Sequence, residues 1–218
     1  MPCFFGKGNP DMIQDSSIEQ FLEALASQSP TPGGGSVAAI TAAMGAALVS
    51  MVCNLTLGKP AYAELETDMQ RTLDTATGLR TRLLELVEAD VAVFDQVMAA
   101  YRLPRASEAE RQNRSEVIQA ALRAATEVPL TCAGLCLEII RLSEWIAANG
   151  NAGVITDAGA AALTAYAALR SSELNVRVNT KNLKDQAFVS TCLGQLAGML
   201  AEADRLQPVI FNTVLQRL

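Results

Sequence analysis

The chain contains no histidine, and that absence narrows its chemistry before any motif is read. Ser-His-Asp hydrolysis, Cys-His thiol catalysis and His-ligated metal sites all need an imidazole. Proton transfer must therefore fall to Asp, Glu, Lys, Tyr, Cys or a bound water. Among these, Asp90 stands out. It falls on an apolar seam that runs through Leu79, Leu83, Leu86, Val87, Phe94 and Val97. A carboxylate there must be paired, hydrogen-bonded or raised in pKa by desolvation. Asp90 is thus a candidate general base or cation-binding group, unless it caps a neighbouring helix.

A second candidate is the uncharged turn Gly33-Gly34-Gly35-Ser36. It has no GK[ST] continuation and does not follow a strand as GxGxxG does, so neither nucleotide-loop reading applies. Three glycines before a helix can turn several N–H groups, together with the helix dipole, toward an electron-rich ligand. A sharp turn between tightly packed helices is the plainer alternative.

Short polar side chains also gather between Asn149 and Asp157, where Thr156 or Asp157 is expected to cap the next helix. Asn175 and Asn179 share a helix face by their i, i+4 spacing. They extend a small-residue stripe of Ala161, Ala165, Ala168 and Ser172. Two amides there could read a heterocycle's edge, or could join two helices by a hydrogen bond. Cys132 and Cys136 are also four apart but lack other ligands, so they read as packing. The five cysteines form no CxxC pair, which favours reduced thiols and a cytoplasmic setting.

The elements that must position these residues are helical throughout. Half of the 218 residues are apolar and only 5% are aromatic, a composition that lets helices approach closely. The spacing predicts an all-α bundle of about six helices, two of them long. Residues 1–16 read as a flexible arm and 17–218 as a single domain. Ser17 with Gln20 and Ser107 with Glu110 form capping boxes. Ser36 is expected to cap the helix after the glycines. A helix of about 60 Å is expected from Ala61 to Tyr101. The next helix should pass Pro129 with a kink and stop at Asn149-Gly150. The last should open at Leu183-Lys184-Asp185 and bend or break at Pro208.

Residues 33–58 carry no charge, which raises a membrane span. Their Ala, Gly, Ser and Thr content, with a stripe at Ala38, Ala42, Ala46 and Ser50, suits a buried central helix better. The net charge of −6 offers no basic face for nucleic acid.

Several of these stretches together resemble the cyclodeaminase and cyclohydrolase family of folate enzymes. They are Pro30-Thr31-Pro32-Gly33-Gly34-Gly35-Ser36, Met44-Gly45-Ala46-Ala47-Leu48, Leu55-Thr56-Leu57-Gly58-Lys59, and Asp90 with Phe94. Leu103-Pro104-Arg105, Asn149-Gly150-Asn151, Thr156-Asp157-Ala158 and Asn175-Val176-Arg177-Val178-Asn179 continue the match. Ser50 to Thr56 and Ile155 to Gly159 point to its stand-alone cyclohydrolase branch. Arg105 departs from the usual Lys, and Thr156 from a common Ser.

The resemblance implies a helical homodimer binding a folate between long helices. It implies one of two reactions: hydrolysis of 5,10-methenyltetrahydrofolate to 10-formyltetrahydrofolate, or cyclodeamination of 5-formiminotetrahydrofolate with release of ammonia. A helical folate-binding protein or scaffold without turnover is the reading outside catalysis. On the enzymatic reading Asp90 and Asp157 are the catalytic carboxylates. Gly33, Gly34, Gly35, Ser36, Lys59, Asn175 and Asn179 bind substrate, with Lys59 on a glutamate carboxylate. Neither metal nor redox cofactor is expected. The glycine turn is expected to hold the ligand while the chemistry sits on carboxylates elsewhere.

Overall fold

The computed structural model describes Ile13 and residues 16–218; the arm expected at 1–16 lies almost entirely outside them. Six α-helices follow in order: α1 (Ile18–Leu25), α2 (Gly34–Asn54), α3 (Glu66–Arg102), α4 (Glu108–Asn149), α5 (Ile155–Thr180) and α6 (Gln186–Gln216). Short 3-10 turns at Pro60–Leu65 and Ala152–Val154 lead into α3 and α5. No strand occurs among the described residues. The all-α bundle is as expected, and α3 and α4 are the two longest helices, with 37 and 42 residues.

Both capping boxes form. Ser17 Oγ accepts from Gln20 N–H while the Gln20 side chain accepts from Ser17 N–H, and Ser107 with Glu110 repeats the pattern. Two other expected caps do not. Gly33 is the N-cap of α2, which places Ser36 inside the first turn with its hydroxyl free to reach another helix. Val154 occupies the N-cap position of α5 because the 3-10 turn runs directly into it, so Thr156 and Asp157 also sit inside the first turn. The last helix opens on Asp185, whose side chain accepts from Phe188 N–H. It runs unbroken through Pro208 to Gln216.

The centre of the bundle is α2, packed between α3 and α5, with α4 closing over both and α6 against α4 and α5. Its small-residue stripe is buried as expected: Ala42 and Ala46 are fully enclosed. Facing it on α5 are Ala161, Ala165 and Ala168, equally enclosed. The two helices run antiparallel, since Gly45 meets Ala161 and Thr164 while Gly34 lies near Asn175. A Cβ at Gly45 would stand 2.9 Å from Thr164 Oγ1 and 3.1 Å from the Ala161 carbonyl oxygen. The glycine is required by that approach. Both α2 and the segment Ala152–Thr180 are long and apolar enough to cross a membrane; in the fold, most of the α2 window is covered by the other helices.

Proline at position 129 removes one rung from α4, because it has no N–H to offer the carbonyl four residues earlier. That carbonyl belongs to Ala125, which is buried. Asn179 of α5 supplies the missing donor, its Nδ2 lying 2.6 Å from Ala125 O. A buried carbonyl left unpaired is costly, so α4 passes through Pro129 with its hydrogen-bond deficit met from α5.

Candidate active site

Asp90 projects from α3 onto the first turn of α2. Its Oδ2 accepts a 3.0 Å hydrogen bond from Ser36 Oγ, and the nearby Ser36 N–H also favours the charged carboxylate. Ser36 is fully buried, while Asp90 is half-buried. The carboxylate lies so close to Gly35 that a Cβ there would stand 2.0 Å from Oδ1 and 2.5 Å from Cγ. Any side chain at 35 would expel it. The glycines thus serve close approach of a carboxylate to a helix N-terminus, where free N–H groups and the dipole favour negative charge.

Two opposed effects set its protonation. Burial pushes the Asp90 carboxyl above its ordinary value, and the Ser36 hydroxyl and N–H pull it partly back. The result is a carboxylate more basic than a surface aspartate and rigidly held, as general-base chemistry requires. Asp90 does cap a neighbouring helix, the plainer reading of its sequence position. The cap does not fully offset its desolvation.

Asn175 stands at the same end of the bundle. Its Nδ2 donates to the Ser171 carbonyl in its own helix at 3.0 Å and lies 3.8 Å from where a Gly34 Cβ would be. Gly34 itself is exposed at the mouth of the turn. Asn179, by contrast, is engaged on Ala125, which is the interhelical alternative left open by its spacing. The pairing of Asn179 with Pro129 could not be read from either residue alone.

Asp157 and Lys59 lie at the other end of α2. Asn151 donates from Nδ2 to the Leu55 carbonyl at 2.8 Å, and its N–H donates to the buried Thr56 hydroxyl at 3.0 Å. Tyr62 Oη accepts from Ala152 N–H at 3.2 Å. These bonds pin the start of α5 to the end of α2, beside exposed Lys59. The 21 residues of α2 put about 30 Å between this end and Asp90. Within one chain, therefore, the glycine turn, Ser36, Asp90 and Asn175 come together, and Lys59 and Asp157 do not join them. The expectation that the turn and the carboxylate chemistry lie apart is corrected: Asp90 sits on the turn.

Sequence reasoning treated Cys132 as packing and Ser172 as part of a small-residue stripe, and both are enclosed in the core. The Asp90 carboxylate makes ionisation of the Cys132 thiol harder, while the neighbouring Cys136 makes it easier. No group of potential metal ligands occurs among the described residues.

Comparison with known proteins agrees with this architecture. Residues 17–197 match the family described as formiminotransferase-cyclodeaminase. The methenyltetrahydrofolate cyclohydrolase of Methylorubrum extorquens is 52% identical over 203 residues, covering 93% of this chain and 98% of that one. The formimidoyltransferase-cyclodeaminase of Rattus norvegicus is 30% identical over 207 residues; the match covers 95% of this chain but 38% of that longer protein. The solved formiminotetrahydrofolate cyclodeaminase of Thermotoga maritima superposes with a TM-score of 0.85 at 28% identity, over 94% of this chain and 98% of that one. A helical bundle of this order, with a match spanning nearly its whole length, means that the chain belongs to the formiminotransferase-cyclodeaminase family.

Proposed function

We propose that the chain is a methenyltetrahydrofolate cyclohydrolase, opening the five-membered ring of 5,10-methenyltetrahydrofolate to give 10-formyltetrahydrofolate. The extent and identity of the match to the Methylorubrum extorquens enzyme support the reaction. The observation in the fold that carries it is the half-buried Asp90 carboxylate, raised in basicity and locked on the Gly35-Ser36 turn.

The substrate's one-carbon centre is an amidinium-type cation between N5 and N10. Asp90 stabilises that cation and takes a proton from the attacking water. The resulting tetrahedral carbon bears a hydroxyl. Its C–N5 bond breaks as the hydroxyl proton is lost, leaving the formyl group on N10 and a protonated N5. Water is the only co-reactant, so the scheme needs neither metal nor redox cofactor. Gly33, Gly34 and Asn175 border the same mouth and are the substrate contacts assigned here.

Lys59 and Asp157 enter this scheme through a second copy. Met44, Met51 and Leu55 share a face of α2 and are 51%, 42% and 40% exposed. An isologous contact about a two-fold axis near Met44 would set the Gly35 end of one α2 beside the Lys59 end of the other. A homodimer on this face completes the site. Four free, buried cysteines, Cys53, Cys132, Cys136 and Cys192, accord with a reducing, cytoplasmic location.

The direct test is the loss of methenyltetrahydrofolate absorbance. A wild-type protein that does not accelerate it sinks the reading, and a fully active, folded Asp90→Asn variant sinks the assignment of the base. The likeness to the Thermotoga maritima cyclodeaminase favours a second reaction on the same scaffold. Ammonia release from 5-formiminotetrahydrofolate, measured in parallel, separates the two. Folate binding with no turnover of either substrate would indicate a binding protein.

A further inference from the structure

Eleven residues separate Asp90 from Tyr101, just over three turns of α3, so the two share a face about 16 Å apart along the helix. Phe94 and Val97 lie between them on that face and are half-buried. Asp90 meets the first turn of α2, so beyond it the face runs past the start of that helix. The helix α5 leads in the same direction, from Asn175 beside Gly34 to its end at Thr180. Both lead to an open cavity of about 410 Å³.

Tyr101, Arg105, Arg111, Arg114, Ser115 and Lys184 line this cavity, and no carboxylate lines it with them. Arg111 is matched by Glu108 at 2.6 Å. Arg105, Arg114 and Lys184 make no ion pair among the described residues. Three uncompensated cations thus converge in a chain whose net charge is −6. Neutral groups hold two of them in place. The Arg114 guanidinium lies over the Tyr101 ring, 5.7 Å from its centre, and donates to the Tyr101 carbonyl at 3.0 Å. Its Nε has no partner among the described residues, so most of its five donors are unused. Lys184 Nζ donates to Ser115 Oγ at 2.6 Å. Gln119 fixes the loop that carries it, accepting from Lys184 N–H at 2.7 Å and donating to the Asn182 carbonyl at 2.9 Å. Like charges gathered this way repel one another, and an anion between them relieves the repulsion.

The distance from Asp90 selects among anions. From the one-carbon centre of a folate, the aminobenzoyl unit and first glutamate extend about 10 Å by ordinary bond lengths. Each further γ-linked glutamate adds about 6 Å, since five chain bonds replace the three of an ordinary residue. The first glutamate therefore stays near the mouth, where the proposed dimer brings Lys59, and the second and third arrive at the cavity. We propose that Arg105, Arg114 and Lys184 form a polycarboxylate subsite for the outer glutamates of an oligoglutamyl folate. This rests on the cyclohydrolase reading and gives it a substrate class. Guanidinium groups suit such a tail because two parallel N–H donors can meet the two oxygens of one carboxylate.

The experiment compares the monoglutamyl and triglutamyl forms of 5,10-methenyltetrahydrofolate as substrates. The proteins are full-length wild type, Arg105→Gln, Lys184→Gln and the double variant. Arg80→Gln, which alters an exposed arginine of α3 outside the cavity, is the control. Wild-type KM should be about ten-fold lower for the triglutamate. Added salt should narrow that gap, because charges open to solvent are screened. Arg105→Gln and Lys184→Gln should each raise the triglutamate KM several-fold. The double variant should bring the ratio of the two KM values close to one, and Arg80→Gln should leave it at the wild-type value. Arg105 and Lys184 are exposed, so the variants keep the fold, which circular dichroism checks.

Equal KM values for the two substrates in wild type overturn the proposal, as does a wild-type ratio in the double variant. A rise in KM shared equally by both substrates also overturns it. Wild-type protein inactive on both substrates would instead overturn the cyclohydrolase reading itself, so the two failures are distinguishable.

Discussion

Glycine 35 and Asp90 occupy what would otherwise be one volume. The Cβ that any other residue would bring to position 35 falls 2.0 Å from Asp90 Oδ1, well inside contact distance, and the clash is with the carboxylate itself. Gly35→Ala should therefore cost little helix propensity, since alanine is the better helix former. It should nonetheless cut activity by roughly 100-fold by displacing the base, while circular dichroism stays unchanged. Wild-type activity in that variant would show that Asp90 need not lie on the turn. Asp90→Asn separates charge from contact, because an amide oxygen can still accept from Ser36. With its folded pKa raised by burial, ionised Asp90 contributes no stability. The native state holds the proton more tightly than the unfolded one, so this group's contribution is greatest below the unfolded pKa and is lost as pH rises through the folded value. At neutral pH, Asp90→Asn should be at least as stable as wild type by urea titration, yet lower in activity by about 100-fold or more. The acidic limb of wild-type kcat/KM should lie above that of an ordinary surface aspartate. A limb at or below the ordinary aspartate value would mean Asp90 is not the titrating base.

Among the helices, the instructive pair is α4 and α5. The helix periods, the capping boxes and the burial of the small-residue stripe were legible because each depends on neighbours within a few residues. The caps at Ser36 and Thr156 or Asp157 were misread because tertiary partners and a preceding 3-10 turn reset the helix starts. The role of Asn179 was out of reach for a different reason: it answers a deficit at Pro129, 50 residues earlier in the chain. That coupling is measurable. Asn179→Ala should lose about 1–3 kcal/mol by leaving the Ala125 carbonyl unpaired. In a Pro129→Ala background, α4 supplies its own donor and the same substitution should cost little. Additive effects in this double-mutant cycle would mean that Asn179 has some other partner or task.

At the scale of the molecule, the sequence placed seven turn and helix positions and two carboxylates in one site, and a single chain divides them between the two ends of α2. Spacing along a sequence gives a residue's helix face but not which end of an antiparallel bundle meets which, so this division was not legible. The proposed dimer makes a sharp prediction. Asp90→Asn and Asp157→Asn, each inactive alone, should regain activity when unfolded and refolded together. Random pairing gives half hybrids, each with one intact site, hence about a quarter of wild-type activity. No recovery from a mixture shown to contain hybrids would confine the working site to one end of one chain. Met44→Asp, on the exposed face of α2, should shift sedimentation from dimer to monomer; an unchanged dimer would place the contact elsewhere.

The position of α2 also bears on how the chain is made. This uncharged helix leaves the ribosome well before α5, yet one flank is covered only by α5, which ends at Thr180. Until α5 has emerged the nascent protein therefore carries a half-covered segment long and apolar enough to cross a membrane. Such exposure invites aggregation or capture by membrane-targeting machinery before the bundle can close. Holdase chaperones that bind apolar nascent segments should associate with this chain from the emergence of α2 until that of α5, and release it once the antiparallel pair can form.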